Sequence, residues 1–409
     1  MFLRDGIPAG SLLITALTSF AIIVASYFLL TFLARRNPLI QLHRDLILVV
    51  LIGSACFGGY RIFGMQSMRG FDQGRHHNQS KLVAKLIESG DPELLEFAVP
   101  GNRGFQFVNG IIYSIFGECP NVLSQIYGFM GIAGVLLLWD LFYRAFEPEY
   151  SNSMVFFALM VIGLPSIVFW SQGLMKEGPA LFGYCLIFQF CPVGPNRQIG
   201  SWPLGILGTL LAVCMRPHMA ICYLVALGLI LLSSRANFLA TMSVGLLVFM
   251  GFIGLQSLAP EIFVEPDLLV ERLSDNYSVR AGADKGSTIT GEPIPILSGL
   301  NRIFLRPYPT EAVNFSMVIA SLEICMLTGL MVWGWLTRRS ARLWKEPIVL
   351  MALISILFLA FPFSFMYNLG LLSRQRVAAI PAILVVLLAP WLFRRWQTEF
   401  DFLDSTYDP

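Results

Sequence analysis

Apolar runs recur along the whole chain, at residues 11–34, 46–65, 122–143, 154–171, 178–192, 203–215, 219–233, 237–257, 314–336, 347–367 and 377–393. Lipid offers no partners for backbone N–H and C=O groups, so runs of this length settle in a bilayer as helices, each needing about 20 residues to cross. Eleven spans are expected, making an all-α polytopic membrane protein with a single membrane domain over residues 1–409. Composition agrees. Hydrophobic residues are 56% of the chain and charged residues 13%, about half the roughly 25% of a soluble domain.

The basic residues of the short loops set the orientation. Residues 11–34 are longer than the apolar core of a signal peptide and show no small-residue cleavage site, so they read as the first span. Arg35, Arg36 and Arg44 then place the following loop in the cytoplasm and the N-terminus outside. Between 203 and 233 the run is interrupted by Arg216, Pro217 and His218. Proline removes a backbone donor and disfavours helix continuation. Two spans here, rather than one, put Arg338, Arg339, Arg342, Lys345, Arg394 and Arg395 inside. The expectation is a multi-pass protein of the inner (plasma) membrane, with a cytoplasmic C-terminus and two long external loops, 66–121 and 258–313. Six of the seven cysteines fall in apolar runs, so the chain writes no disulfide framework.

The first external loop reads as a cap that hugs the membrane. From Ser80 onward Leu82, Val83, Leu86 and Ile87 recur at helical spacing with Lys81, Lys85 and Glu88 off the stripe, as in an amphipathic interfacial helix. The apolar segment 105–116 is too short to span and is expected to be re-entrant or interfacial. The second loop passes through a polar, Gly- and Thr-rich stretch, 281–291, which reads as a lid or as an inert connector. Cytoplasmic loops are short and carry neither a GxxxxGK[ST] phosphate loop nor a GxGxxG unit after a strand, so chemistry is expected on the outer face. A net charge of +2 gives no reason to expect a nucleic-acid partner.

Charged residues interrupt the apolar pattern at few places. Asp72 follows the second run, Lys176 and Glu177 break the stretch 154–192, Arg216 and His218 lie in the 203–233 break, Arg306 ends the second loop, and Arg374 and Arg376 precede the last run. An ionisable residue at membrane depth is costly and persists where it faces a polar cavity or ends a span. Plainer roles exist for each. Asp72 is then a loop carboxylate or helix cap, Lys176 and Glu177 a pair at a hairpin tip, Arg306 a solvated loop residue, and Arg374 and Arg376 anchors that reach to headgroups.

Several segments carry a family resemblance: GFD (70–72), LPSIVFWSQGLMKEG (164–178), RPH (216–218), FLRPYPTEAVN (304–314) and NLGLLSRQRVAAIP (368–381). With an Asp after a Gly-containing turn in a first outer loop of interfacial helices, they resemble the GT-C superfamily of polyprenyl-phosphate-dependent membrane glycosyltransferases. They look more closely like bacterial membrane proteins related to that group and linked to surface-polysaccharide assembly. The likeness runs in order from about residue 46 to 393, with Gln73 in place of a second acidic residue and one additional span before the loop. It implies a GT-C-like fold and an outer-face transferase that moves sugar from a polyprenyl-(pyro)phosphate-linked donor to a growing glycan or lipid acceptor. Membrane lipid and a polysaccharide-assembly complex are the implied partners.

The chemistry of such a transfer asks for two things. A carboxylate must accept the acceptor hydroxyl's proton, and fixed positive charge must hold the departing phosphate, a task that suits arginine. Asp72 is the candidate base. Lys176, Glu177, Arg216, His218, Arg306, Arg374 and Arg376 are the candidate substrate- and phosphate-binding residues. The same cations would serve a repeat-unit polymerase, or a transporter or flippase of a lipid-linked glycan, although the paired halves common among transporters are not evident. A non-catalytic subunit is the third class. His76 and His77 point in different directions and have no third histidine nearby, and a lone Asp beside Gln73 makes a poor site for a divalent cation, so no protein-caged metal or other cofactor is expected. Some membrane glycosyltransferases use a divalent cation, and the sequence leaves that alternative open.

Overall fold

The computed structural model describes residues 9–37, 72–146, 164–171, 173–193, 198–233, 294–312, 315–337 and 343–392, with positions 245 and 289 and several between 40 and 53. In chain order the helices are α1 (Ala9–Ala34), α2 (Asp72–Ser89), α3 (Asn102–Phe116), α4 (Pro120–Phe146), α5 (Pro165–Ser171) and α6 (Glu177–Ile187). A two-residue antiparallel hairpin of β1 (Pro192–Val193) and β2 (Gln198–Ile199) follows, with Pro192 opposite Ile199. Then come α7 (Trp202–Met215), α8 (Pro217–Ser233), α9 (Leu297–Phe304), α10 (Phe315–Thr337), α11 (Pro347–Ser364), α12 (Leu369–Gln375) and α13 (Ile380–Leu392).

Among the described residues four helices are long and apolar enough to cross a membrane: α1, α4, α10 and α11. A fifth span results if α12 and α13, with the 3-10 turn between them, count as one path bent by 65°. Of the eleven expected spans, the described residues show four or five as helices of spanning length. The run at 178–192 is an 11-residue helix followed by a 3-10 turn and the hairpin. At 1.5 Å per residue that helix covers about 17 Å, short of a hydrocarbon core of about 30 Å. Its sequence is apolar because nearly every one of its side chains is buried in protein, and hydropathy alone does not distinguish a core helix from a lipid-facing one. The runs at 203–215 and 219–233 are likewise short apolar helices. The run 237–257 and most of 46–65 and 154–171 fall outside the described residues.

The packing around α6 fixes where its ends lie. Gly178 sits against the Tyr127 carbonyl and Gly134 against the backbone of Phe182, so α6 runs beside α4 in the same direction. The hairpin returns the chain antiparallel through α7, and here small residues bring backbones together. A Cβ on Gly183 would lie 2.8 Å from both the Gly208 carbonyl oxygen and the Ala212 nitrogen, atoms that cannot swing aside. Gly183→Ala is therefore expected to cost about 1–3 kcal/mol. Thermal unfolding in detergent measures it, and an unchanged midpoint would show that α7 can shift freely.

The break expected at Arg216 is present. Arg216 leaves helical geometry at φ −149°, ψ 77°, and Pro217 opens α8, where its missing N–H costs no helical bond. The start of α6, the end of α7 and the start of α8 thus meet at one end of the packed helices. At the other end Arg144 donates to Gln189 Oε1 at 3.1 Å and to the Gly200 carbonyl at 3.4 Å.

The cap lies over the first of these ends, where the Gly101 N–H donates to the Cys214 carbonyl of α7 at 2.8 Å. Its first helix begins at Asp72, eight residues before the expected stripe. His76, Ser80, Val83, Ala84 and Leu86 are its buried residues, while Leu82, expected on the buried stripe, is 44% exposed. Helix α3 turns a polar face inward, burying Gln106, Asn109 and Tyr113, and leaves Ile115 and Phe116 exposed. Of the second loop, only Ile289 and the end from 294 are described, so the stretch 281–291 expected as a lid lies outside apart from that one residue.

Candidate functional site

Four stretches far apart in sequence deliver charged groups to one place under the cap. They are the first turn of α2, the turn leading into α6, the α7–α8 break, and α12. The turn before α6 depends on Gly173, whose φ of +140° suits glycine and whose missing side chain leaves room for Gln73; a Cβ there would lie 2.7 Å from the Gln73 amide nitrogen. That contact seats the start of α2 on residues 173–176. Helix α12 is capped by Asn368, whose side chain accepts the Leu371 N–H at 3.0 Å, and this places Arg374 near its end.

Glu177 is the hub. Its side chain is 1% exposed, and one oxygen, Oε1, accepts from both Arg216 and Arg374. Its other oxygen, Oε2, has no hydrogen-bond partner among the described residues. Arg374 bridges two carboxylates, with Nε on Glu177 and Nη1 on Asp72. Asp72 differs from Glu177 in being 54% exposed. Lys176 is buried and donates to Asn102 Oδ1 at 2.6 Å, with no carboxylate at ion-pair distance among the described residues. Three cations and two carboxylates leave a surplus of one positive charge when all five are ionised.

The surroundings move the ionisation of these groups. Burial raises the Asp72 carboxyl, but the hydrogen bond and charge of Arg374 outweigh it and hold Asp72 below the usual carboxylate range. Burial, reinforced by the charge of Arg216, pushes Lys176 down to about 7. Burial, then the charges of Lys176 and Arg374, pushes His76 down to about 4. A neutral His76 then serves as a hydrogen-bonding partner of Gln106, at 3.2 Å.

Asp72, Lys176, Glu177, Arg216 and Arg374 are therefore brought together. Of the other three candidates, Arg376 and Arg306 lie apart. Arg376, two residues beyond Arg374, is 2% exposed and turns the other way, donating to the Arg302 carbonyl at 2.9 Å. It lies within electrostatic reach of Glu323, which accepts the Ser166 N–H at 2.8 Å. Arg306 pairs with Glu311 at 3.4 Å and lies over the Tyr308 ring. His218, at the second position of α8, lies beside the cluster, within electrostatic reach of Arg216 and Lys176. Among the described residues no group of three or more His, Cys, Asp or Glu is placed to hold a metal ion.

Sequence reasoning did not single out Asn102, Gln106 or Asn109. Asn102 holds Lys176, Gln106 meets His76, and Asn109 accepts from Tyr127, so the inner face of α3 supplies the neutral partners of the site and its surroundings. Their spacing, with Tyr113 completing i, i+4, i+7, i+11, was a readable polar stripe on an otherwise apolar segment. Comparison of the chain with family models, with characterised proteins and with solved structures finds no match.

Proposed function

We propose that the chain is a membrane glycosyltransferase of the outer face, taking sugar from a polyprenyl-phosphate-type lipid donor and passing it to a glycan or lipid acceptor. The observation that supports this reading is the convergence of one half-exposed carboxylate, Asp72, with Lys176, Arg216 and Arg374 around the buried Glu177, at the end of apolar helices and beneath an interfacial cap. A lipid phosphate lying at headgroup depth meets cations there without leaving the membrane. In the transfer, Asp72 accepts the acceptor hydroxyl's proton as that oxygen bonds to the anomeric carbon. The bond from that carbon to the phosphate oxygen breaks, and the phosphate leaves with the electron pair against Arg374 and Lys176. Orientation with this site outside, and placement in the plasma membrane, belong to the same proposal. The test is the full chain in liposomes with a labelled polyprenyl-phosphate sugar and a glycan acceptor. Labelled product supports transfer, whereas labelled donor moved across the bilayer without product would make the chain a transporter.

The site also carries a pH dependence. Lys176 is charged below about 7 and loses its charge above it, so affinity for a phosphodiester, whose single negative charge is fixed over this range, is expected to fall as pH rises from 6 to 8, by about tenfold. Lys176→Arg stays charged and is expected to flatten the profile. Calorimetric titration at each pH measures this. A wild-type profile as flat as that of the Arg variant would remove Lys176 from phosphate binding.

A further inference from the structure

We infer that Asp72, paired with Arg374, occupies the place the donor's phosphate will take on that guanidinium, so that seating the phosphate is what releases the carboxylate. The inference rests on the reading of this site as a lipid-phosphate transferase. It starts from an asymmetry between the two carboxylates on Arg374. Glu177 is 1% exposed and shared with Arg216, so it has nowhere to go. Asp72 is 54% exposed, sits on the first residue of α2, and among the described residues is held by Arg374. Moving it disturbs one helical turn.

The remaining positive charge lies where an arriving anion would share it. Lys176 is held by a neutral amide, not by a carboxylate, and lies within electrostatic reach of Arg374 and Asp72. An anion drawn to Lys176 and Arg374 repels Asp72 and competes for the same guanidinium edge. Glu177 keeps Arg374 oriented through the exchange. The consequence is chemical. While paired, Asp72 is a poor base, because Arg374 holds its carboxyl below the ordinary range. Once displaced it regains basicity, so the acceptor hydroxyl is activated only when the donor is in place.

The test is calorimetric titration of the full chain in detergent with a short-chain prenyl methyl phosphate, which carries one fixed negative charge. Asp72→Asn removes the competing carboxylate and is expected to bind the probe more tightly than wild type, by up to about fivefold, the upper range for a half-exposed ion pair that no longer has to be broken. Asp72→Ala should show the same gain, and Arg374→Gln should abolish it in the double variant. Glu88→Gln, at the exposed far end of the same helix, controls for net charge and should not change affinity. Equal or weaker binding by both Asp72 variants, with transfer by wild type intact, overturns this inference alone. No binding of the probe to any variant overturns it together with the functional reading. A gain in binding without transfer by wild type upholds the phosphate subsite and removes the transferase.

Discussion

Asp72→Asn is expected to slow sugar transfer by about 100-fold or more without weakening donor binding. Asparagine keeps the size and a hydrogen-bonding oxygen but cannot take a proton, so the loss falls on the chemical step. The structure gives this carboxylate the features a base in such a site needs. It is half exposed, it opens the cap helix, and it touches the cation assigned to the donor. Glu177 is no substitute, since its buried side chain is shared by two arginines. Single-turnover transfer with the donor prebound separates chemistry from binding. A rate within a few fold of wild type would take Asp72 out of the mechanism, and Glu118, which pairs with Lys81 at 2.9 Å in the cap, would be the next carboxylate to test.

Glu177→Ala is expected to destabilise the protein by about 3–5 kcal/mol. Two largely buried guanidinium groups share this carboxylate, and removing it leaves Arg216 without its ion-pair partner and Arg374 with Asp72 alone. Replacing one partner of a buried pair costs far more than replacing the whole pair, because the orphaned charge stays desolvated. Glu177→Leu combined with Arg216→Met should therefore recover part of the loss. Unfolding in detergent, followed by tryptophan fluorescence, measures both. A single variant as stable as wild type would mean that Arg216 finds solvent when Glu177 is gone, and that the hub is not buried as described.

Part of the candidate site was legible in the sequence because charge inside an apolar run is expensive and therefore rare. Asp72, Lys176, Glu177, Arg216 and Arg374 each stood out as a break, and they meet. Their pairing was not legible. Residues two apart on a helical turn face different sides, so Arg374 and Arg376 looked alike in sequence while one reaches Asp72 and Glu177 and the other the Arg302 carbonyl. The same limit applies to the fold. Helices α1 and α4 were read with nearly their observed ends, as were α10 and α11, since length and hydropathy decide a long span. Helix α6 was read as a span because apolarity says that a segment avoids water and does not say whether lipid or protein surrounds it. The inner face of α3 was missed for a different reason. Its polar residues recur at helical spacing, a signal that was overlooked because the segment was read for its apolar residues alone.

Photocrosslinking tests the central claim most directly, with a polyprenyl phosphate bearing a diazirine next to its phosphate, in liposomes containing the full chain. If the cluster is the lipid-phosphate site, mass spectrometry will find label on peptides containing Asp72, residues 173–177 and Arg374, and Arg374→Gln will greatly reduce it. Label confined to the lipid-facing surfaces of α1 and α10, and unchanged in that variant, would contradict the claim.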